Sequence, residues 1–171
     1  MAVSKPPNTP YPPDEPEPAT ELGDLSDAEV RGADWANERA LGVSLQRVAL
    51  HEVRLTGADL AEAELTDVTF TGCRLDLVGL RYAKLQRVVF SDCRMEECDL
   101  GGAQLEDVLF ERCNLTAAMV PNLRVQRVEL RECELAGLQG AEALKGARMP
   151  WSDAIQGGPT FAAALGIELL D

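Results

Sequence analysis

The stretch from Leu65 to Arg124 reads, in consecutive blocks of twenty residues, LTDVTFTGCRLDLVGLRYAK, LQRVVFSDCRMEECDLGGAQ and LEDVLFERCNLTAAMVPNLR. Three residue types recur at fixed places in all three blocks. They are Val68, Val88 and Val108, then Phe70, Phe90 and Phe110, then Cys73, Cys93 and Cys113. Within each block, a small residue precedes a Leu, Phe or Met by two places, and this pair returns every five residues. Such an internal repeat predicts a solenoid, in which each unit buries its apolar side against its neighbours.

The same register extends beyond this stretch on both sides. Further blocks of twenty occupy residues 25–44, 45–64 and 125–144, so the repeat comprises six blocks of four pentapeptides. A helix would place apolar residues about every 3.6 positions, and a strand would place them about every two. A spacing of two that restarts every five residues predicts a short extended side followed by a corner. Four sides then return the chain to its start one coil higher, at about the 4.8 Å spacing of neighbouring strands.

This pattern resembles the A(D/N)LXX motif of the pentapeptide-repeat protein family. The motif is carried by GADL (57–60), CDL (98–100) and CNL (113–115). The resemblance covers residues 25–144 and implies an all-β fold, a right-handed quadrilateral parallel β-helix of about six coils. Because the residues shared by the family are core residues, the resemblance specifies the fold far better than the function.

Composition divides the chain into three segments. Residues 1–24 hold seven of the ten prolines and little to bury, which predicts a disordered acidic tail. Residues 25–149 are the predicted β-helix. Residues 150–171 contain PTFAAALG (159–166), which predicts a short helix. The apolar residues of this last segment either cap the final coil or contact a second copy of the chain in a homodimer. These residues are Phe161, Leu165, Ile167 and Leu169.

The overall composition excludes several classes of function. The formal charge of −13 repels nucleic acid and anionic membranes and attracts basic protein partners. No apolar run is long enough to span a membrane, and we expect no secretory leader. Five cysteines, an odd number, argue against a disulfide framework and favour the cytoplasm.

The chemistry-bearing residues do not assemble into a catalytic signature. There is one histidine, and the cysteines at twenty-residue intervals form a parallel column, whereas a metal needs ligands that converge on one point. We interpret these cysteines as core filler. The sequence therefore predicts a protein that is not an enzyme and that needs no metal or other cofactor.

Two charge patterns are predicted to lie on the outside of the coils. The first is a column that alternates in sign from coil to coil and would form a ladder of opposite charges. Its members are Asp27, Arg47, Asp67, Arg87, Asp107 and Arg127. The second is an acidic cluster that we interpret as a candidate partner surface. Its members are Asp59, Glu62, Asp76, Glu96, Glu97 and Asp99.

The family resemblance gives the acidic cluster one specific interpretation. Some pentapeptide-repeat proteins resemble duplex DNA in shape and charge and bind DNA gyrase or related type II topoisomerases in its place. The resemblance therefore implies a non-catalytic, DNA-mimicking regulator or protector of gyrase. A basic column, Arg54, Arg74 and Arg94, lies beside the acids, so the alternative is a general interaction scaffold whose partner is unrelated to DNA enzymes.

Overall fold

Every fifth residue from 27 to 137 turns a corner of the coil in a left-handed backbone conformation, with φ between +50° and +70°. This is seen in a computed structural model of the chain, which describes residues 5–170. Glycine adopts this conformation readily, and glycines 32, 42, 57, 72, 102 and 137 occupy such corners. At other corners, a hydrogen bond to the next coil holds a residue with a side chain in place. The Glu52 N–H, for example, donates to the Thr71 carbonyl at 2.9 Å.

The longest sides of the coils form one parallel sheet, whose strands are stacked in chain order. The strands are β1 (Glu17–Pro18), β2 (Leu25–Arg31), β3 (Ser44–His51), β4 (Glu64–Thr71), β5 (Lys84–Ser91), β6 (Gln104–Glu111) and β7 (Arg124–Arg131). The register advances by twenty residues, so Val68 pairs with Val88 and Val88 with Val108. This confirms the predicted parallel β-solenoid and its period.

The number of complete turns is smaller than predicted. Strands β2 to β7 enclose about five turns, whereas six coils were expected. The sixth block begins regularly with β7, but its last side is replaced by a 3₁₀ helix, Ala141–Leu144. Gly140 starts this helix with φ +81°, and a Cβ there would lie 2.9 Å from the Pro121 nitrogen. The close approach explains why glycine stands where the coil is interrupted.

Four inward pairs per coil fill a single continuous core. In the coil that begins with β4, the pairs are Val68 with Phe70, Cys73 with Leu75, Val78 with Leu80, and Ala83 with Leu85. The rings of Phe70, Phe90 and Phe110 stack at centroid distances of 4.7 and 5.0 Å, because the coil spacing places them in register. All five cysteines are buried, and burial raises the pKa of the Cys98 thiol to about 12. The cysteines are core filler, as interpreted.

The N-terminal segment, for which the sequence predicts a disordered tail, lies along the coils over residues 5–24; residues 1–4 lie outside the described residues. Strand β1 pairs in parallel with β2. The buried ring of Trp35 donates its Nε1–H to the Thr20 carbonyl at 2.9 Å. The segment has little to bury by itself, but the coils supply acceptors for its backbone. Strand β1 thereby covers part of the first edge of the sheet, at Ala28 and Glu29 of β2, which would otherwise be open to pairing.

The C-terminal segment covers the other end of the solenoid. Backbone hydrogen bonds of 2.9 Å join Arg148 to Val128 and Leu130 of β7. Two short helices follow, α1 (Trp151–Gln156) and α2 (Gly158–Ala164). The predicted helix in PTFAAALG corresponds to α2, whereas α1 was not anticipated. Within residues 5–170, no helix has the length and apolar character needed to cross a bilayer.

Candidate functional site

The alternating charges on the sheet form three separate ion pairs rather than the predicted continuous ladder. Each arginine reaches back to the aspartate of the preceding coil. The Arg87 Nε and Nη2 atoms donate to Asp67 Oδ1 and Oδ2 at 2.6 and 2.8 Å. Arg127 binds Asp107 with the same two distances, and Arg47 binds Asp27 through the same atoms. A bidentate guanidinium satisfies both carboxylate oxygens at once, so pairing stops after each second coil.

The three aspartates have a role that sequence reasoning missed, because each also binds the N-terminal segment. The bonds run from the backbone N–H of Asn8 to Asp107 Oδ1 (2.9 Å), of Tyr11 to Asp67 Oδ1 (3.0 Å) and of Asp14 to Asp27 Oδ1 (3.1 Å). The Tyr11 ring also lies over the guanidinium of Arg87, 5.5 Å from its carbon, a cation–π distance. We call this set of aspartates, with their paired arginines, the aspartate column. The sequence contains one signal for this contact, because the three residues that donate these hydrogen bonds are spaced by three along the chain.

These contacts stabilise the ionised form of the aspartates. Hydrogen bonds from Arg127 lower the pKa of Asp107 to about 2 against the opposing effect of burial, and the Asn8 N–H adds to them. Hydrogen bonds from Arg47, with the Asp14 N–H, hold the pKa of Asp27 well below its usual range. At Asp67, burial opposes ionisation, but the Arg87 and Tyr11 hydrogen bonds outweigh it and the pKa is lowered.

The depressed pKa of Asp107 predicts an acid-dependent loss of stability. A carboxylate with a lowered folded-state pKa stabilises the protein above its unfolded pKa, and this contribution is lost as pH falls through the folded pKa. For Asp107 the window extends from 3.8 down to about 2. We expect Asp107→Asn to be less stable than the wild type above pH 4, with the difference closing toward pH 2. Urea denaturation of both proteins at several pH values measures it, and a constant difference over this range would contradict the prediction.

The acidic cluster is largely paired with the arginines of the chain. The ion pairs are Arg39–Asp59 (3.9 Å), Arg81–Asp99 (2.8 Å), Arg94–Asp76 (3.7 Å) and Arg94–Glu96 (3.5 Å). The other two members, Glu62 and Glu97, are exposed at left-handed corners, and among residues 5–170 no cation pairs with either within 4.0 Å. The six acids therefore form a mixed surface on which two carboxylates are available to a partner.

The residues predicted as a cap or a dimer contact divide into two groups. Phe161 packs against the core, and nearby the Thr160 hydroxyl donates to the Leu135 carbonyl of the last coil at 2.9 Å. The other predicted residues are exposed, as are several of their neighbours. The exposed fractions are Leu165 71%, Ile167 55%, Leu169 60%, Trp151 80%, Ile155 62% and Leu170 89%. The cap is thus formed by Phe161 and its surroundings, while six other apolar side chains of the C-terminal segment face outward.

The outer faces offer shallow grooves rather than an enclosed cavity. One groove of about 450 Å³ runs along the beginnings of β4 to β7 and is lined mainly by polar residues, with Leu85, Leu105 and Val125 among them. Among the described residues, no group of three or more His, Cys, Asp or Glu side chains is arranged to hold a metal ion. The described outer surface therefore offers a partner ion pairs, backbone acceptors and exposed apolar side chains.

The fold and these surfaces define a repeat solenoid of stacked, four-sided parallel coils. Family models described as "Pentapeptide repeat region" match residues 43–119 and 63–139, and one described as "Pentapeptide repeats (8 copies)" matches residues 24–60. The chain belongs to the pentapeptide-repeat family. A comparison with curated proteins gives no match.

Solved structures with similar folds are also pentapeptide-repeat proteins. A protein of the Arabidopsis thaliana thylakoid lumen is 23% identical, with a TM-score of 0.53 over 63% of this chain and 71% of that chain. QnrB1, described as a plasmid-mediated fluoroquinolone resistance protein, is 15% identical, with a TM-score of 0.41 over 84% of this chain and 90% of its own. At these identities the similarity is one of fold.

Proposed function

We propose that this protein is a non-catalytic, protein-binding solenoid that acts through the outer sides of its coils. The observation that carries the proposal is the aspartate column, where three carboxylates on one outer side hold a segment of polypeptide by its backbone. Both ends of the solenoid are covered by the terminal segments, so the broad sides are the surfaces left for a partner. The repeat motif specifies core residues, so the outer sides are the surfaces through which a solenoid binds its partners.

A general test immobilises the wild type and the variant Glu62→Lys/Glu97→Lys. It then compares the proteins that each retains from a cell extract. These two carboxylates are exposed, so their replacement is expected to leave the fold intact while reversing charge on the mixed surface. We expect a basic partner to be lost from the variant and kept by the control Glu142→Lys, which changes one charge near the C-terminal end. Identical retained proteins for all three would contradict the role of this surface.

The finer proposal is that the partner is DNA gyrase or a related type II topoisomerase, bound in place of DNA. Its support is the formal charge of −13 on a rod of stacked coils, with the family resemblance described above. Three arginines pair with four of the six clustered acids, so Glu62, Glu97 and the acids outside the cluster must supply most of the attraction. The DNA-mimic proposal therefore depends on these remaining carboxylates, whereas the general scaffold proposal does not.

A supercoiling assay tests this finer proposal directly. We expect micromolar protein to inhibit gyrase supercoiling or to reduce quinolone-stabilised cleavage, and Glu62→Lys/Glu97→Lys to need at least about tenfold more protein, as expected for steering by charge. The inhibition should weaken with added salt, because exposed charges are screened. If neither supercoiling nor cleavage changes at micromolar protein, the partner is unrelated to gyrase and the scaffold function stands.

The exposed apolar residues at the C-terminal end support a second proposal, self-association into a homodimer. Large exposed apolar patches mark interaction sites, and twofold dimers are the commonest assemblies. We expect light scattering to report twice the 18.5 kDa chain mass for the wild type and the single mass for Leu165→Lys/Ile167→Lys. The control Leu77→Lys, at a coil corner with 57% exposure, should stay dimeric. A wild-type monomer would contradict the proposal.

A further inference from the structure

The N-terminal segment repeats with a period of three where it crosses the coils. Prolines stand at positions 7, 10 and 13, and the residue after each is a backbone donor to the aspartate column. These three prolines are partly buried, whereas the other residues from 5 to 16 are exposed. One side of the segment thus faces the protein at every third residue.

This period identifies the conformation that the site accepts. A polyproline-II helix has three residues per turn, so every third residue returns to the same side, while a β-strand would send residues 8, 11 and 14 to alternating sides. Proline fixes φ near −65° and so favours this helix. Glu15, with φ +46°, marks the place where the segment leaves it to enter β1.

The spacing of the donors matches the spacing of the acceptors. Three residues of polyproline II advance about 9.3 Å, and two coils of the solenoid advance about 9.6 Å. Aspartate occupies this column at every second coil, with arginine between, so one acceptor lies at each 9.6 Å step. The segment runs from Asp107 at residue 8, through Asp67, to Asp27 at residue 14.

We propose that the aspartate column is a recognition site for polyproline-II segments of a partner protein with proline at every third residue, and that residues 7–14 are a resident occupant that competes for it. The proposal deepens the protein-binding function proposed above, on which it rests, by naming one side of the coils and one class of peptide ligand. It is independent of gyrase.

The contacts make the resident segment exchangeable. Three hydrogen bonds, one cation–π contact and three partly buried prolines hold it, and a segment with so few buried contacts opens far below the free energy of global unfolding. Each aspartate accepts a backbone N–H of the segment, so selection depends chiefly on the spacing of donors and prolines. Because each aspartate is already paired with an arginine, the site also accepts an acidic segment such as this one.

The test uses the full-length chain in forms that hold or release the resident segment. Asn8→Pro/Tyr11→Pro removes two donors while proline preserves the extended helix, and Thr9→Pro removes an N–H that makes no hydrogen bond to the coils among the described residues. A fluorescent peptide of residues 5–16 is then titrated onto each protein. We expect it to bind the double variant at least about tenfold more tightly than the wild type or Thr9→Pro, because a tethered segment competes at millimolar effective concentration.

The register of the peptide provides the decisive control. A peptide with one glycine inserted between Thr9 and Pro10 keeps its composition but separates Asn8 from Tyr11 by four residues. We expect its affinity for the double variant to fall at least tenfold. Equal binding of both peptides, equal binding to all three proteins, or no binding to any of them would overturn the proposal. None of these outcomes alters the supercoiling result, so the two proposals fail separately.

Amide hydrogen exchange in the unaltered full-length chain gives a second, independent measurement. The amides of Asn8, Tyr11 and Asp14 are expected to exchange at least tenfold more slowly than those of Thr9 and Glu15. Addition of excess unlabelled in-register peptide should remove this difference, and the glycine-inserted peptide should not. Uniformly rapid exchange over residues 8–15 would show that the column does not hold the segment in solution.

Discussion

Replacing Phe90 with alanine is expected to lower the free energy of unfolding by about 3–5 kcal/mol, the usual cost of truncating a buried phenylalanine. The ring is fully buried between Phe70 and Phe110, at centroid distances of 4.7 and 5.0 Å. Both neighbours are fixed by the hydrogen bonds of their own strands, so they cannot move inward to fill the space. The loss therefore includes both the transfer of the ring and the cavity left behind.

The chain supplies a matched control for this substitution. The same column holds Leu50 and Leu130 in other coils, so Phe90→Leu places a side chain that the column accommodates elsewhere. We expect this change to cost less than about 2 kcal/mol, close to the range for hydrophobic replacements of similar volume. Urea denaturation measures both variants. A cost for alanine below that for leucine, or below about 1 kcal/mol, would contradict the packing.

The regular part of the fold is predictable because its physical causes repeat. Each buried pair, such as Val88 with Phe90, constrains the same positions twenty residues earlier and later, so the sequence repeats wherever the backbone does. The corners follow from the same period. The predicted number of coils was too large because the last coil is interrupted at Gly140. The conformation there depends on a contact with Pro121, and this contact occurs only once in the chain.

Contacts of the N-terminal segment with the coils could not be predicted, because composition describes only what a segment can bury by itself. Seven prolines and several acids give no core, which is typical of disorder. The aspartates that order the segment lie up to 99 residues away, so the composition of residues 1–24 alone does not reveal them. Prolines recur every three residues and aspartates every forty. These two periods match only as distances, because three residues of polyproline II and two coils of the solenoid advance by nearly the same length.

The acidic cluster shows a different limit. Sequence register predicts Asp76, Glu96 and Asp99 on one face and its following corner, but it does not say which way a long arginine side chain extends. Arg94 turns toward Asp76 and Glu96, and Arg81 toward Asp99. The net charge of a surface is therefore predictable from the sequence, whereas the carboxylates left free for a partner are not.

Asp67→Ala is expected to lower the free energy of unfolding by about 3 kcal/mol, because removing one partner of a buried ion pair leaves the other charge uncompensated. The Asp67 and Arg87 side chains are 6% and 23% exposed, and Asp67 also accepts the Tyr11 N–H. The variant thus loses two arginine hydrogen bonds and one contact with the N-terminal segment.

Asp92→Ala is the matched control, since Arg112 binds Asp92 through the same atoms, Nε to Oδ1 at 2.8 Å and Nη2 to Oδ2 at 3.0 Å. That pair also joins adjacent coils, but its side chains are 51% and 44% exposed, so water replaces the lost partner. We expect its removal to cost much less than the removal of Asp67, because exposed ion pairs contribute little to stability. Equal losses for the two variants, measured by urea denaturation, would show that burial does not distinguish the pairs.

The double variant Asp67→Ala/Arg87→Leu distinguishes the effect of the ion pair from the effect of the contact with the N-terminal segment. Removing both partners abolishes the uncompensated arginine, so the double variant should recover part of the stability lost in Asp67→Ala. The acceptor for Tyr11 remains absent, however, and the exchange of the Tyr11 amide should stay fast in both variants. Recovery of stability without recovery of amide protection would assign the two roles of Asp67 to different contacts: the pair with Arg87 holds adjacent coils together, and the free lone pair on Oδ1 holds the N-terminal segment.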